Sequence, residues 1–138
     1  MPFDAMPAQY DLVNSKADRL RYLADFIETR RDDEIYMPGY ENGCGTARCA
    51  LGWAVTLPAF KALGVPSDPG ELHLIGHAGG AFFGVDYADH VSRVWMAAAY
   101  PYPADAIPAR AVAKRLRKLA DKVAAREFAA LTAARGDA

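Results

Sequence analysis

The chain has 138 residues, of which 52% are hydrophobic and 24% are charged. This length allows one domain whose core needs neither metal nor disulfide, and this composition excludes a disordered chain. The net charge of -1 conceals an uneven distribution: residues 1–105 carry 14 acidic and 8 basic side chains, whereas residues 106–138 carry 3 acidic and 8 basic. This asymmetry indicates either an internal electrostatic fit or an exposed basic surface for a partner.

The sequence predicts a cytoplasmic protein that forms one domain over residues 1–138. Its apolar runs are too short to cross a bilayer, so we expect no membrane association. Residues 1–13 contain two prolines and predict an irregular lead-in that lacks the basic-then-apolar pattern of a signal peptide. Both cysteines are then expected to be reduced unless they are functional.

Apolar residues at helical spacing predict a first amphipathic helix over residues 16–28. Ser15 or Asn14 is the expected N-cap, because a short polar side chain there accepts from a free amide of the first turn. Residues 35–40 are interrupted by Pro38 and predict a loop. At most, they pair with residues 71–76 as a small two-stranded β element.

Residues 42–54 concentrate both cysteines, three glycines and Trp53. The glycines permit a sharp turn, after which Thr46 is expected to cap a helix over residues 47–55. This register puts Cys49 in the first turn and Trp53 one turn later, in the core. Pro58 should end this helix, and a further helical turn is predicted over residues 60–64.

The remaining sequence predicts a short helix over residues 77–84, another over 87–99 and a long basic helix over 106–135. The last of these carries an apolar seam typical of helix–helix packing. Its members are Val112, Leu116, Leu119 and Val123. The fold class is therefore mainly α: a compact single-domain bundle of about five helices.

Cys49 is the candidate nucleophile. A thiol becomes nucleophilic when its thiolate is stabilised, and free amides at a helix N-terminus do this. The candidate bases are His73, His77 and His90. A glycine-rich turn that presents a cysteine at a helix start resembles the papain-like thiol enzymes. That resemblance implies a cysteine hydrolase or transferase.

The cysteines allow three other interpretations. Cys44, Cys49, His73 and His77 have a spacing similar to a Cys2His2 zinc site, although the 23 residues between Cys49 and His73 exceed those of a usual finger. A Cys44–Cys49 disulfide is a second interpretation, as a redox switch. Cys49 as a small buried apolar residue is the third. We expect the protein to need no metal or cofactor.

The C-terminal helix supplies the candidate binding residues. They are Arg110, Lys114, Arg115, Arg117, Lys118 and Lys122. Such a surface would contact nucleic acid phosphates or an acidic protein. The alternative is a solvated face that the acidic body partly neutralises. Tyr100 and Tyr102, which lie beside prolines, are predicted to be packing residues.

The pattern Cys44-Gly45-Thr46-x-x-Cys49-Ala50-x-Gly52-Trp53-Ala54 resembles small bacteriophage and bacterial proteins that have no established activity. Ala24-Asp25-Phe26 before it and Phe82-Phe83-Gly84-Val85 after it extend the resemblance over residues 20–100. It implies a phage-related origin. The leading hypothesis is a small binding or regulatory protein that acts through its surface on a protein partner or a second copy. A thiol enzyme and a nucleic-acid binder are the alternatives.

Overall fold

The computed structural model describes residues 15–37, 47–65, 82–84 and 100–134. Within these ranges the chain forms four α-helices: α1 (Lys16–Glu28), α2 (Ala50–Ala54), α3 (Pro58–Ala62) and α4 (Ala109–Ala134). A short 3₁₀ helix, Asp32–Glu34, follows α1. The described part is mostly helical without a strand, and it shares a single hydrophobic core, which confirms the predicted mainly α class.

Helices α1 and α4 pack side by side and form the centre of the fold. The apolar positions of α1 are almost completely buried: Leu20, Leu23, Ala24 and Ile27. The seam predicted for α4 is buried to the same degree: Val112, Leu116, Leu119 and Val123. Each buried leucine or valine contributes about 1.5–3 kcal/mol, so this interface is a major source of stability.

The N-termini of α1 and α4 each have backbone N–H groups that donate to a carboxylate from elsewhere in the chain. Ser15 caps α1 by accepting from the Asp18 amide. The Glu127 carboxylate of α4 also accepts from the backbone N–H groups of Lys16 and Ala17, at 3.3 and 3.2 Å. In return, Asp32 accepts from the Ala109 backbone N–H at 2.9 Å. A negative charge is favoured at both positions by the helix dipole.

Ion pairs along the α1–α4 interface fix the two helices antiparallel. Arg21 contacts Asp121 at 3.2 Å. Farther along α1, Asp25 and Glu28 contact Arg117 at 2.9 and 2.6 Å. Contacts that move forward along α1 therefore move backward along α4. The acidic body and the basic helix therefore meet along this face.

The helix predicted over residues 47–55 begins later than expected, at Ala50. Arg48 is extended instead, and its backbone forms a parallel bridge with Ile35. The Arg48 N–H donates to the Glu34 carbonyl, and the Tyr36 N–H donates to the Arg48 carbonyl, both at 3.0 Å. These contacts hold residues 47–48 out of the helix, and Cys49 becomes its N-cap. The expectation that Cys49 lies inside the first turn is wrong.

Pro58 begins a helix rather than only ending one. Helix α2 already stops at Ala54, and Pro58 occupies the first position of α3, where its missing N–H costs nothing. Gly64 follows α3 with a φ of +83°, a backbone geometry that favours glycine. The predicted turn over 60–64 therefore starts and ends two residues earlier.

Residues 82–84 lie across the α1 N-terminus and α4. The Phe82 and Phe83 rings are buried and pack edge-on against Phe60, with centroids 5.2 and 5.7 Å away. Gly84 has a φ of +71°. The carbonyls of Phe82 and Gly84 accept hydrogen bonds from Arg19 and Arg126, at 2.9 and 3.2 Å.

Several predicted features fall outside the described residues. These are the lead-in, the Thr46 cap, the β partner 71–76 and the helix over 87–99. The other predicted β segment, residues 35–40, supplies only the single bridge at Ile35 in its described part. Met37 is buried there, and Tyr36 is half-buried.

Candidate functional site

A groove of about 920 Å³ runs between the first half of α4 and residues 100–102. We call it the basic groove. The described residues that line it are Tyr100, Pro101, Tyr102, Arg110, Ala111, Lys114, Arg115, Lys118, Leu119 and Lys122. Five of these are cationic, and none of the described lining residues is acidic. The groove is therefore a concentration of positive charge on a chain whose net charge is -1.

Four of the cations form a regular line on α4. Arg110, Lys114, Lys118 and Lys122 are all exposed and follow one another at four-residue intervals. We call this line the cation row. At a rise of about 1.5 Å per residue it extends about 18 Å along the helix. Arg110, Lys114 and Lys118 have no ion pair or hydrogen bond with another described residue.

Tertiary packing divides the six candidate binding residues between two faces of α4. Arg117 lies against α1, bound to Asp25 and Glu28, and is not in the basic groove. The hydrogen bonds that Arg117 donates to those two carboxylates raise the pKa of Arg117. The other five line the groove. The charge asymmetry of the sequence thus serves as both an internal electrostatic fit and an exposed basic surface.

The cation row is unfavourable for the helix that carries it. Like charges four residues apart destabilise a helix by about 0.2–0.5 kcal/mol per pair, and the row contains three such pairs. Arg110 also lies in the first turn, where the helix dipole disfavours a positive charge. Stability alone does not account for this pattern. Departures of this kind from local preference are typical of functional surfaces.

The two tyrosines of the groove differ in their surroundings. Tyr100 is 5% exposed, and the Arg115 guanidinium lies 4.4 Å from its ring centroid. Burial raises the pKa of the Tyr100 phenol well above its ordinary value, although Arg115 opposes this. Tyr102, by contrast, is 39% exposed. The prediction that both tyrosines are packing residues describes Tyr100 and misses Tyr102.

Cys49 lies in a setting that disfavours its thiolate. It is a free thiol, 5% exposed, and its sulfur accepts from the Gly52 N–H at 3.5 Å. Burial raises the pKa of the Cys49 thiol, and the backbone hydrogen bonds only partly oppose this. A nucleophilic cysteine needs the opposite, a lowered pKa and access to substrate. The candidate bases His73, His77 and His90 lie outside the described residues, as does Cys44.

The described half of the cysteine motif holds two segments together. Trp53 is half-buried, and its indole Nε1 donates to the Glu34 carbonyl at 2.9 Å. Its ring lies 5.6 Å from that of Phe26. The Arg30 guanidinium lies over both rings, 4.7 Å from the centroid of Phe26 and 5.6 Å from that of Trp53. The motif thus docks α2 on the end of α1.

The part of the chain that the structure describes contains no group of three or more potential metal ligands. Nor does any helix there have the length and apolarity to span a membrane. Comparisons with protein-family models, curated proteins and solved structures gave no significant match. Any functional argument for this chain therefore rests on its own residues.

Proposed function

We propose that this protein acts by binding, and that its binding surface is the basic groove with a linear polyanion as ligand. The observation that carries this proposal is the cation row. Three of its members have no ion pair or hydrogen bond with another described residue, whereas Arg117, on the other face of α4, is neutralised by α1. Unpaired cations in a groove without a described acidic residue favour a negatively charged partner.

The arrangement favours a linear ligand over a single small anion. A small anion is bound by convergent donors, whereas the members of the cation row are spread over about 18 Å of helix. Charges spaced along a line complement a chain of phosphates or carboxylates. Such binding is strongly salt-dependent, because each neutralised site on the polyanion releases counterions.

The buried Cys49 supports binding over thiol catalysis as the leading function. Its raised pKa leaves it mostly protonated at neutral pH, and its low exposure hinders attack on a substrate. In the described residues, the cysteine motif has structural contacts that need no reaction to explain them.

The test is binding of long-chain inorganic polyphosphate, a linear polyanion that carries no other recognition element. We expect Lys118→Glu to weaken binding at least about fivefold at 0.1 M salt, the effect of removing one phosphate contact. Lys61→Glu is the matched control, because Lys61 is an exposed helical lysine outside the groove and changes the net charge equally. Far-UV circular dichroism and urea unfolding verify that both variants fold.

Equal loss in the two variants would show that only net charge matters, and would refute the groove as the binding surface. Salt-independent or undetectable polyphosphate binding by the wild type at low ionic strength would refute the proposal as a whole.

A further inference from the structure

The described lining of the basic groove outside α4 is aromatic and apolar. It consists of Tyr100, Pro101 and Tyr102, and Ala111 of α4 adds further apolar surface. The Tyr100 ring is occupied by Arg115. Among the described lining residues, Tyr102 is therefore the aromatic ring that is available to a ligand, with 39% of its surface exposed.

From this juxtaposition we propose that the polyanion is a single-stranded nucleic acid, with its phosphates on the cation row and a base stacked on Tyr102. This inference rests on the proposed function, because it identifies the ligand of the same groove. Single-strand-binding proteins combine a basic groove that follows the backbone with aromatic side chains on which bases stack. Both components line the basic groove.

The cation row and the exposed Tyr102 ring together favour one kind of polyanion over the others. A polyphosphate or an acidic peptide would engage the cation row but leaves the exposed ring without a specific partner. A nucleic acid duplex keeps its bases stacked inside, where Tyr102 cannot reach their faces. A single strand presents phosphates along one edge and unpaired bases along the other.

The cation row also sets the expected salt dependence. For single strands, the logarithm of the binding constant falls with the logarithm of salt concentration at about 0.7 per phosphate contact. Four contacts therefore give a slope of about -2.8. Removing one cation should lower its magnitude by about 0.7, whereas removing the Tyr102 ring should leave the slope unchanged.

The experiment measures by fluorescence anisotropy how tightly the protein binds three probes, each twelve nucleotides long. They are oligothymidylate, an abasic backbone of equal charge, and a duplex. We expect oligothymidylate to bind most tightly. We expect Tyr102→Leu to weaken its binding about 5- to 150-fold, the value of one stacked base. Tyr102→Phe, which retains the ring, is the matched control and should bind as the wild type does. Neither variant should alter binding of the abasic backbone.

Four outcomes are decisive. Selective loss with Tyr102→Leu on oligothymidylate supports the inference. Equal binding of oligothymidylate and the abasic backbone, with Lys118→Glu still weakening both, overturns it and leaves the polyanion proposal standing. Tighter binding of the duplex than of oligothymidylate also overturns it, in favour of a double-stranded ligand. Salt-independent binding of every probe overturns both proposals.

Discussion

Alanine substitution at two glycines provides a sensitive test of how residues 82–84 pack on the helix pair. Gly64 and Gly84 both have positive φ, at +83° and +71°. A Cβ atom at Gly64 would meet nothing within 4 Å. A Cβ atom at Gly84 would lie 3.0 Å from Val123 Cγ1 and 3.1 Å from Lys16 Cδ. The two sites therefore share the backbone strain and differ in crowding.

The two substitutions should differ clearly in how much they lower the free energy of unfolding. Positive φ costs an alanine about 1–2 kcal/mol, and the reduced entropy of the unfolded chain returns about 0.4–1 kcal/mol. Gly64→Ala should thus lower the free energy of unfolding by about 1 kcal/mol. Gly84→Ala carries an overpacking cost of about 1–3 kcal/mol in addition, because Val123 is buried and the Lys16 Cβ, 3.2 Å away, is held by the backbone of α1.

Urea unfolding followed by circular dichroism measures the free energy of unfolding of both variants. In thermal unfolding, each kcal/mol lost should lower the Tm by about 3–5 °C. Val123→Ala provides a second test: combined with Gly84→Ala it should cost less than the sum of the two single substitutions, because it removes the crowded methyl groups. Equal costs at Gly64 and Gly84, or strict additivity with Val123→Ala, would refute the close packing of residue 84 against α4.

Three further predictions concern the helix pair and the thiol. Glu127→Ala should lower the free energy of unfolding by about 1–2 kcal/mol through loss of the cap on α1, and Glu127→Gln, which retains an acceptor, should lose less; equal losses would contradict a role for the remaining acceptor. Because the hydrogen bond and charge of Arg117 lower the pKa of Glu28, the stabilisation is complete above the ordinary value of 4.5 and is lost as pH falls through the lowered pKa. Arg117→Gln should therefore lower the free energy of unfolding by about 0.2–1 kcal/mol relative to the wild type at pH 7. This difference should shrink as pH falls below 4.5 and Glu28 becomes protonated; a difference that does not change with pH would assign the effect to packing. In a Cys44→Ser background, Ellman's reagent should modify Cys49 only as fast as the protein opens, and rapid modification of the native state would contradict its burial.

The helices that follow local rules were predictable from sequence. The bounds of α1 agree with the prediction over residues 16–28, because Ser15 and the apolar periodicity are both local signals. Helix α4 spans Ala109–Ala134, within the predicted range of 106–135, and begins directly after Pro108. The start of α2 was not predictable in this way, because the backbone of Arg48 is engaged by Glu34 and Tyr36, which lie more than ten residues earlier. The resemblance to phage proteins stays a prediction.

The sequence by itself determined that the C-terminal helix is basic and which of its residues form the buried seam. It could not determine which cations of α4 are neutralised and which stay exposed, because that depends on which acidic side chains of α1 lie beside the buried seam. Packing against α1 neutralises Arg117 and leaves the cation row exposed on another face. Only the tertiary structure brings Tyr102 to the same groove as that row, since the chain must turn between residues 102 and 110 for both to line it.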